Sequence, residues 1–107
     1  NLPLAAGADD DVVASALEAG LEELLPRIRP VALVVSAGFS GHRDDSLSAL
    51  AMSETGFYRI GRAIAQASEV WSEGRVLSIL EGGYEPRALA ASVGAYLRAL
   101  AHESPVH

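Results

Sequence analysis

Cysteine is absent from this 107-residue chain, and so is lysine. Without cysteine there is no disulfide and no thiolate metal site. Without lysine no Schiff base can form on the protein, since all eight basic residues are arginines. Positive charge is scarce as well, eight basic against fourteen acidic residues for a formal net charge of −6. With no basic cluster, the phosphate neutralisation that drives nucleic-acid binding has no source. No apolar run approaches the ~20 residues needed to span a bilayer, which argues against membrane contact. The opening Asn1-Leu2-Pro3-Leu4 lacks the charged segment and long apolar run of a signal peptide. It starts without methionine, as though in mid-strand, and the expectation is a cytoplasmic chain with a truncated N-terminus.

What is present is a folding composition, 50% hydrophobic and 21% charged, enough for one domain or part of one. From Asp10 to Ile28, apolar residues at Val12, Val13, Ala16, Leu17, Leu21, Leu24, Leu25 and Ile28 make one helical stripe. Asp9, Asp10 and Asp11 suit its start, and Pro26 is expected to loosen its last turn. Val31 to Ala37 is short, β-branched and almost wholly apolar, which predicts a strand buried on both faces. A polar stretch from Gly38 to Ala51 follows. Ser53 reads as the N-cap of a second helix running to about Trp71, with Phe57, Ile60, Ile64, Ala67 and Trp71 inward. Arg75 to Leu80 predicts a second buried strand, Glu81 to Tyr84 a turn, and Pro86 the first residue of a last helix. That helix carries Leu89, Val93, Tyr96, Leu97 and Leu100 inward, and residues 102–107 read as a frayed tail.

The order is thus strand remnant, helix, strand, long loop, helix, strand, helix. It predicts an α/β fold with parallel strands, a partial three-layer α/β/α sandwich with an incomplete sheet. Residues 1–107 form a single unit in this reading. Its uncovered apolar faces predict a homo-oligomer or a complementary segment as partner.

In open parallel sheets, ligands bind beyond the C-terminal ends of the strands. Two loops leave there, Ser36 to Asp45 and Leu80 to Tyr84. Both contain glycine, which permits close backbone approach. The stretch SAGFSGHRDDSL resembles the SAGFD-x-H-x-x-D-P-L segment of bacterial and class II-type histone deacetylases. LEGGYE is similar to the loop bearing their catalytic tyrosine, and NLPLAAGADDD to their N-[IV]-P-L-P-x-G-x-x-D segment. Three segments in order and spacing cover essentially the whole chain, so it resembles the C-terminal part of that superfamily, which includes acetylpolyamine amidohydrolases.

The resemblance implies an arginase/deacetylase-type fold and a zinc-dependent hydrolysis of acetyl-lysine or acetylated polyamine amides. Zinc would activate water. Tyr84 takes the catalytic tyrosine position, a hydrogen-bond donor to the developing oxyanion. Gly82, Gly83 and Phe39 fall where substrate is contacted, and His42 and Asp45 just behind the metal. The family's aspartate ligand corresponds to Ser40, whose neutral hydroxyl is a far poorer zinc ligand. The other ligands and the histidine pair of the family lie upstream of residue 1. The chain alone is therefore expected to bind no zinc, to be inactive, and to meet an acetylated amine only when complemented.

Other readings stand beside this one. A tyrosine after two glycines can be structural, with a wet hydroxyl. His42 is either near the metal or organises the loop by bonding backbone. Asp44 and Asp45 read as a turn, with Asp45 bracing it. Gly38-Phe39-Ser40-Gly41-His42 approaches a G-x-S-x-G nucleophile elbow, giving a minor serine-hydrolase alternative at Ser40. The glycines at 82 and 83 before a helix also suggest a phosphate cradle, opposed by Glu81 and Glu85.

Overall fold

Asp9 accepts a hydrogen bond from the backbone N–H of Val12 at 3.1 Å and so caps the first helix, α1 (Asp10–Ile28). In this computed structural model, which describes residues 1–104, β1 (Leu33–Gly38), α2 (Glu54–Trp71), β2 (Val76–Gly82) and α3 (Pro86–Leu100) follow. α1 runs through Pro26 and ends at Arg29, which adopts a left-handed conformation and donates its N–H to the Leu25 carbonyl. Its stripe is only partly covered. Val13 and Leu17 pack against the core and Leu25 is buried, while Val12, Leu24 and Ile28 are exposed.

The two strands pair in parallel, Leu33 with Val76 through Ala37 with Leu80. One irregularity after Ala37 then sets Gly38 against Gly82. Leu33, Val35 and Ala37 face the helices. The expected burial on both faces is not found: Val34, Leu77 and Ile79, on the other face, are 68%, 59% and 49% exposed. No element among the described residues covers that face. The fold is α/β, with the parallel strands and incomplete sheet expected: helices lie on one side of a two-stranded parallel sheet.

Phe39, Met52, Phe57, Ile64 and Tyr96 form the core with Ala37, and Leu89, Val93 and Leu100 close its rim. The Phe39 ring centroid lies 5.1 Å from Phe57 and 5.7 Å from Tyr96, tilted against the first and edge-on to the second. Each such side chain contributes about 1.5–3 kcal/mol when fully buried. The Tyr96 hydroxyl shares a hydrogen bond with Ser78 at 2.6 Å, and burial pushes its pKa up.

The N-terminal segment forms no strand. Instead the Gly7 N–H donates to the Ala49 carbonyl, and the Ala51 N–H to the Ala8 carbonyl. The far end of the long loop is held on its other side too, since the Arg43 N–H donates to the Met52 carbonyl and Met52 N–H to Gly41. Ser53 occupies the N-cap of α2, yet its side chain does not cap it. Its hydroxyl and its N–H both donate to the Asp10 carboxylate, tying the starts of α1 and α2 together.

His102 and Glu103, at the start of the segment read as a frayed tail, make contacts with α2. His102 contacts Glu69 at 2.7 Å and Arg62 at 2.9 Å, and the Glu103 carbonyl accepts from the Tyr58 hydroxyl at 2.7 Å. The rest of that expectation, residues 105–107, lies outside the described residues. No helix among the described residues is long and apolar enough to cross a membrane.

Candidate functional site

Both loops leave the same end of the parallel pair. The irregularity after Ala37 brings the Phe39 N–H onto the Gly82 carbonyl at 2.8 Å, so the first loop departs directly beside the second. Phe39 then turns its ring into the core, 4% exposed, which anchors the loop at its root. The resemblance puts Phe39 at the substrate; in this chain its ring packs between Phe57 and Tyr96.

His42 is 1% exposed. Its Nδ1 accepts the backbone N–H of Asp44 at 3.0 Å, which assigns the ring proton to Nε2. That nitrogen lies 3.4 Å from Glu54 Oε2, longer than a good hydrogen bond, and has no closer partner among the described residues. Glu54 is the first residue of α2, and its carboxyl is held below the usual range chiefly by its own backbone N–H, with His42 adding to this against partial burial.

Asp45 is 4% exposed, and its two oxygens are separately engaged. Oδ1 accepts the Leu47 N–H at 2.9 Å, and Oδ2 accepts the Tyr84 N–H at 2.8 Å. These two bonds, Leu47 first, hold its carboxyl below the ordinary carboxylate pKa. The carboxylate therefore closes its own turn and fastens the second loop to the first.

Tyr84 itself is 63% exposed. Its ring folds back over the loop, so that a methyl group at Gly82 would sit 3.2 Å from the hydroxyl. Gly83 has φ +146°, a conformation reserved for glycine, and its α-carbon faces Leu89. The turn ends where Glu85 caps α3, accepting the Ala88 N–H at 2.6 Å. This carboxylate fills the position a bound anion would take, so the turn is no phosphate cradle.

Ser40 is half-buried, and its hydroxyl bonds to no described residue. A turn follows it rather than a helix, and the nearest histidine in sequence, His42, is engaged elsewhere. It has neither the base nor the elbow that a serine nucleophile requires.

A zinc ion needs three or four deprotonated nitrogen, sulfur or oxygen donors around one point. No three His, Asp or Glu side chains converge in that way among the described residues. His42 has Nδ1 bonded to backbone, and each oxygen of Asp45 already accepts a backbone N–H. With serine at position 40, the residues present do not fit the ion.

Sequence reasoning places Tyr84, Asp45 and His42 on adjoining loops, and these meet through backbone. It misses Glu54 as the group facing His42. The available signal is an acid at a helix start, which reads first as dipole compensation. It also misses that Asp10 reaches Ser53, 43 residues away.

A family model described as the histone deacetylase domain matches residues 1–100. Histone deacetylase 10, chloroplastic, of Oryza sativa subsp. japonica is 32% identical over 96% of this chain. Type-2 histone deacetylase 1 of Dictyostelium discoideum is 36% identical over 70% of it. Among solved structures, an acetylpolyamine aminohydrolase from Burkholderia pseudomallei matches 94% of the chain with a TM-score of 0.78 and 30% identity. The chain spans 23%, 5% and 28% of these three proteins respectively, under a third of each.

Proposed function

Because this chain belongs to the histone deacetylase domain family, we propose that it forms the tyrosine-bearing wall of a site that hydrolyses acetylated amines. The observation behind this reading is the bond from the Tyr84 N–H to the buried Asp45 carboxylate. It fixes the backbone of residue 84 at the C-terminal end of the sheet while leaving the phenol exposed. From there the hydroxyl donates to the amide oxygen as that carbon becomes tetrahedral, a contribution of the oxyanion-hole kind. Gly82 and Gly83 keep the loop thin beside the acetyl group. The acetylated amine is a lysine side chain, as the family resemblance implies, or a polyamine, as one relative's name suggests.

Taken alone, the chain is proposed to be inactive. Among the described residues, His42 and Asp45 beside this loop are engaged by backbone N–H groups, and no three donors converge to fit zinc. A chimera tests this. Residues 1–100 replace the matching segment of the Burkholderia enzyme, carrying Ser40→Asp to restore the carboxylate that the family resemblance places there. The chimera is expected to release acetate from an acetylated polyamine, and adding Tyr84→Phe should lower kcat by about 10²–10³ with little change in KM. A Tyr84→Phe chimera as fast as its parent would sink the role given to Tyr84, and zinc-dependent turnover by the native chain alone would sink its proposed inactivity.

A second reading is an assembly piece, favoured by the bare Val34, Leu77 and Ile79 face. Light scattering separates the two: a stable homo-oligomer with that face buried supports assembly, and a monomer argues against it.

A further inference from the structure

α1 and α2 lie side by side and parallel. Asp10 at one start holds Ser53 at the other, and beyond their far ends the Ser72 hydroxyl donates to the Pro30 carbonyl at 2.8 Å. In the first half of α1, Val13 and Leu17 pack against the core. Toward their C-termini the space between them opens as a groove, lined by Leu21, Leu25, Val70 and Trp71 together with Glu18 and Glu22. Val70 is 71% exposed there, and Trp71 is half-buried.

The two charged side chains that line this groove, Glu18 and Glu22, are both acidic. α1 carries five carboxylates against a single arginine. Arg27 is already paired with Glu23 at 3.6 Å, and Arg59 reaches Glu18 at 3.3 Å and Asp11 at 2.6 Å. Glu22 has no ionic partner among the described residues. The parallel arrangement adds a second source, because both helices present their carbonyl ends, with their partial negative charge, at the same end of the groove. α2 has no basic residue in its last turn to offset this, whereas α1 carries Arg27 there and ends on Arg29.

We propose that this groove docks a basic amphipathic helix of a protein partner. Its apolar face would lie on Val70 and Trp71, and its lysines and arginines against Glu22, the Glu18 carboxylate shared with Arg59, and the carbonyl end of α2. An exposed apolar lining with an aromatic anchor and acidic side chains beside it is what such a helix complements. A second copy of this chain, at −6, brings like charge to those carboxylates.

Trp71 is the only tryptophan, so its emission reports on the groove alone. The test titrates the 107-residue chain with a synthetic leucine/lysine amphipathic helix that lacks tryptophan. The expected result is a saturable emission change that weakens with added salt. Glu18→Gln with Glu22→Gln should raise Kd about fivefold, and Val70→Ser about tenfold. All three positions lie on the groove surface, and unchanged circular dichroism confirms that the variants fold. No emission change overturns the proposal, as does binding that ignores all three substitutions. Spermine acting as well as the helix would reduce the groove to bare electrostatics and also overturn it. So would an emission shift and doubled mass that depend on the chain's own concentration, which would give the groove to a second copy.

Discussion

Asp45 and Tyr84, 39 residues apart, are joined by a 2.8 Å hydrogen bond from the tyrosine's main chain to the aspartate's Oδ2. The other oxygen of the same carboxylate holds Leu47. One buried side chain thus sets the shape of its own loop and the position of the neighbouring one.

Asp45→Asn keeps the size of this group but turns one acceptor into a donor, so either Leu47 N–H or Tyr84 N–H loses its partner. Hydrogen exchange at those two amides is expected to speed up by at least about tenfold, with the middle of α1 unaffected. Unchanged protection at Tyr84 would mean that the second loop is held by something other than this bond.

Acid should weaken the fold in a defined window. Asp45 is held below the ordinary carboxylate pKa by the Leu47 and Tyr84 amides, and Glu54 chiefly by its own amide. A group with a depressed folded pKa adds stability that is fully present above its unfolded value, about 4, and is lost as pH falls through the folded one. Melting temperature should therefore stay level from neutral pH to about pH 5 and drop below about pH 4. In Asp45→Asn the drop should be shallower. Thermal scans across that range check it, and a decline starting well above pH 5 would assign acid sensitivity to other groups.

The two glycines of the second loop should respond differently. Gly83→Ala forces φ +146° on a residue with a β-carbon and sets that carbon 2.5 Å from Leu89 Cδ1, at an expected cost of about 1–3 kcal/mol. Gly82→Ala meets only the exposed Tyr84 ring, its hydroxyl at 3.2 Å, which can swing away, so its cost should stay under about 1 kcal/mol. Urea unfolding of both variants measures the difference. Equal losses would show that the ring over Gly82 is as firmly placed as the backbone of Gly83.

The helices and strands are legible in the sequence because their apolar spacing is governed by local geometry, and the stripes of α2 and α3 survive in the core as Phe57, Ile64 and Tyr96. Burial is less legible. The run from Val31 to Ala37 is apolar at almost every position and so announces cover on both faces, but cover depends on neighbours that a strand's own residues do not specify. Val34 consequently stands bare beside a packed Val35. The site is readable only in part for a related reason. Residue type and family resemblance point to His42, Asp45 and Tyr84. What joins them is main chain: Asp44 N–H to His42 and Tyr84 N–H to Asp45. Main-chain donors are the same at every position, so no letter in the sequence marks these partners. Ser53 illustrates the converse, a residue correctly placed at a helix start whose hydroxyl is drawn to the carboxylate of Asp10 instead of to the helix it begins.

The anchoring of residue 84 by its amide nitrogen has a consequence for how this surface can change. Every amino acid except proline supplies the same N–H, so the loop keeps its shape whichever side chain stands at that position. Scaffold and chemistry are inherited separately here: substitution at 84 rewrites what the loop offers a ligand without refolding it, whereas substitution at 45 alters the loop and leaves the offered group intact but misplaced.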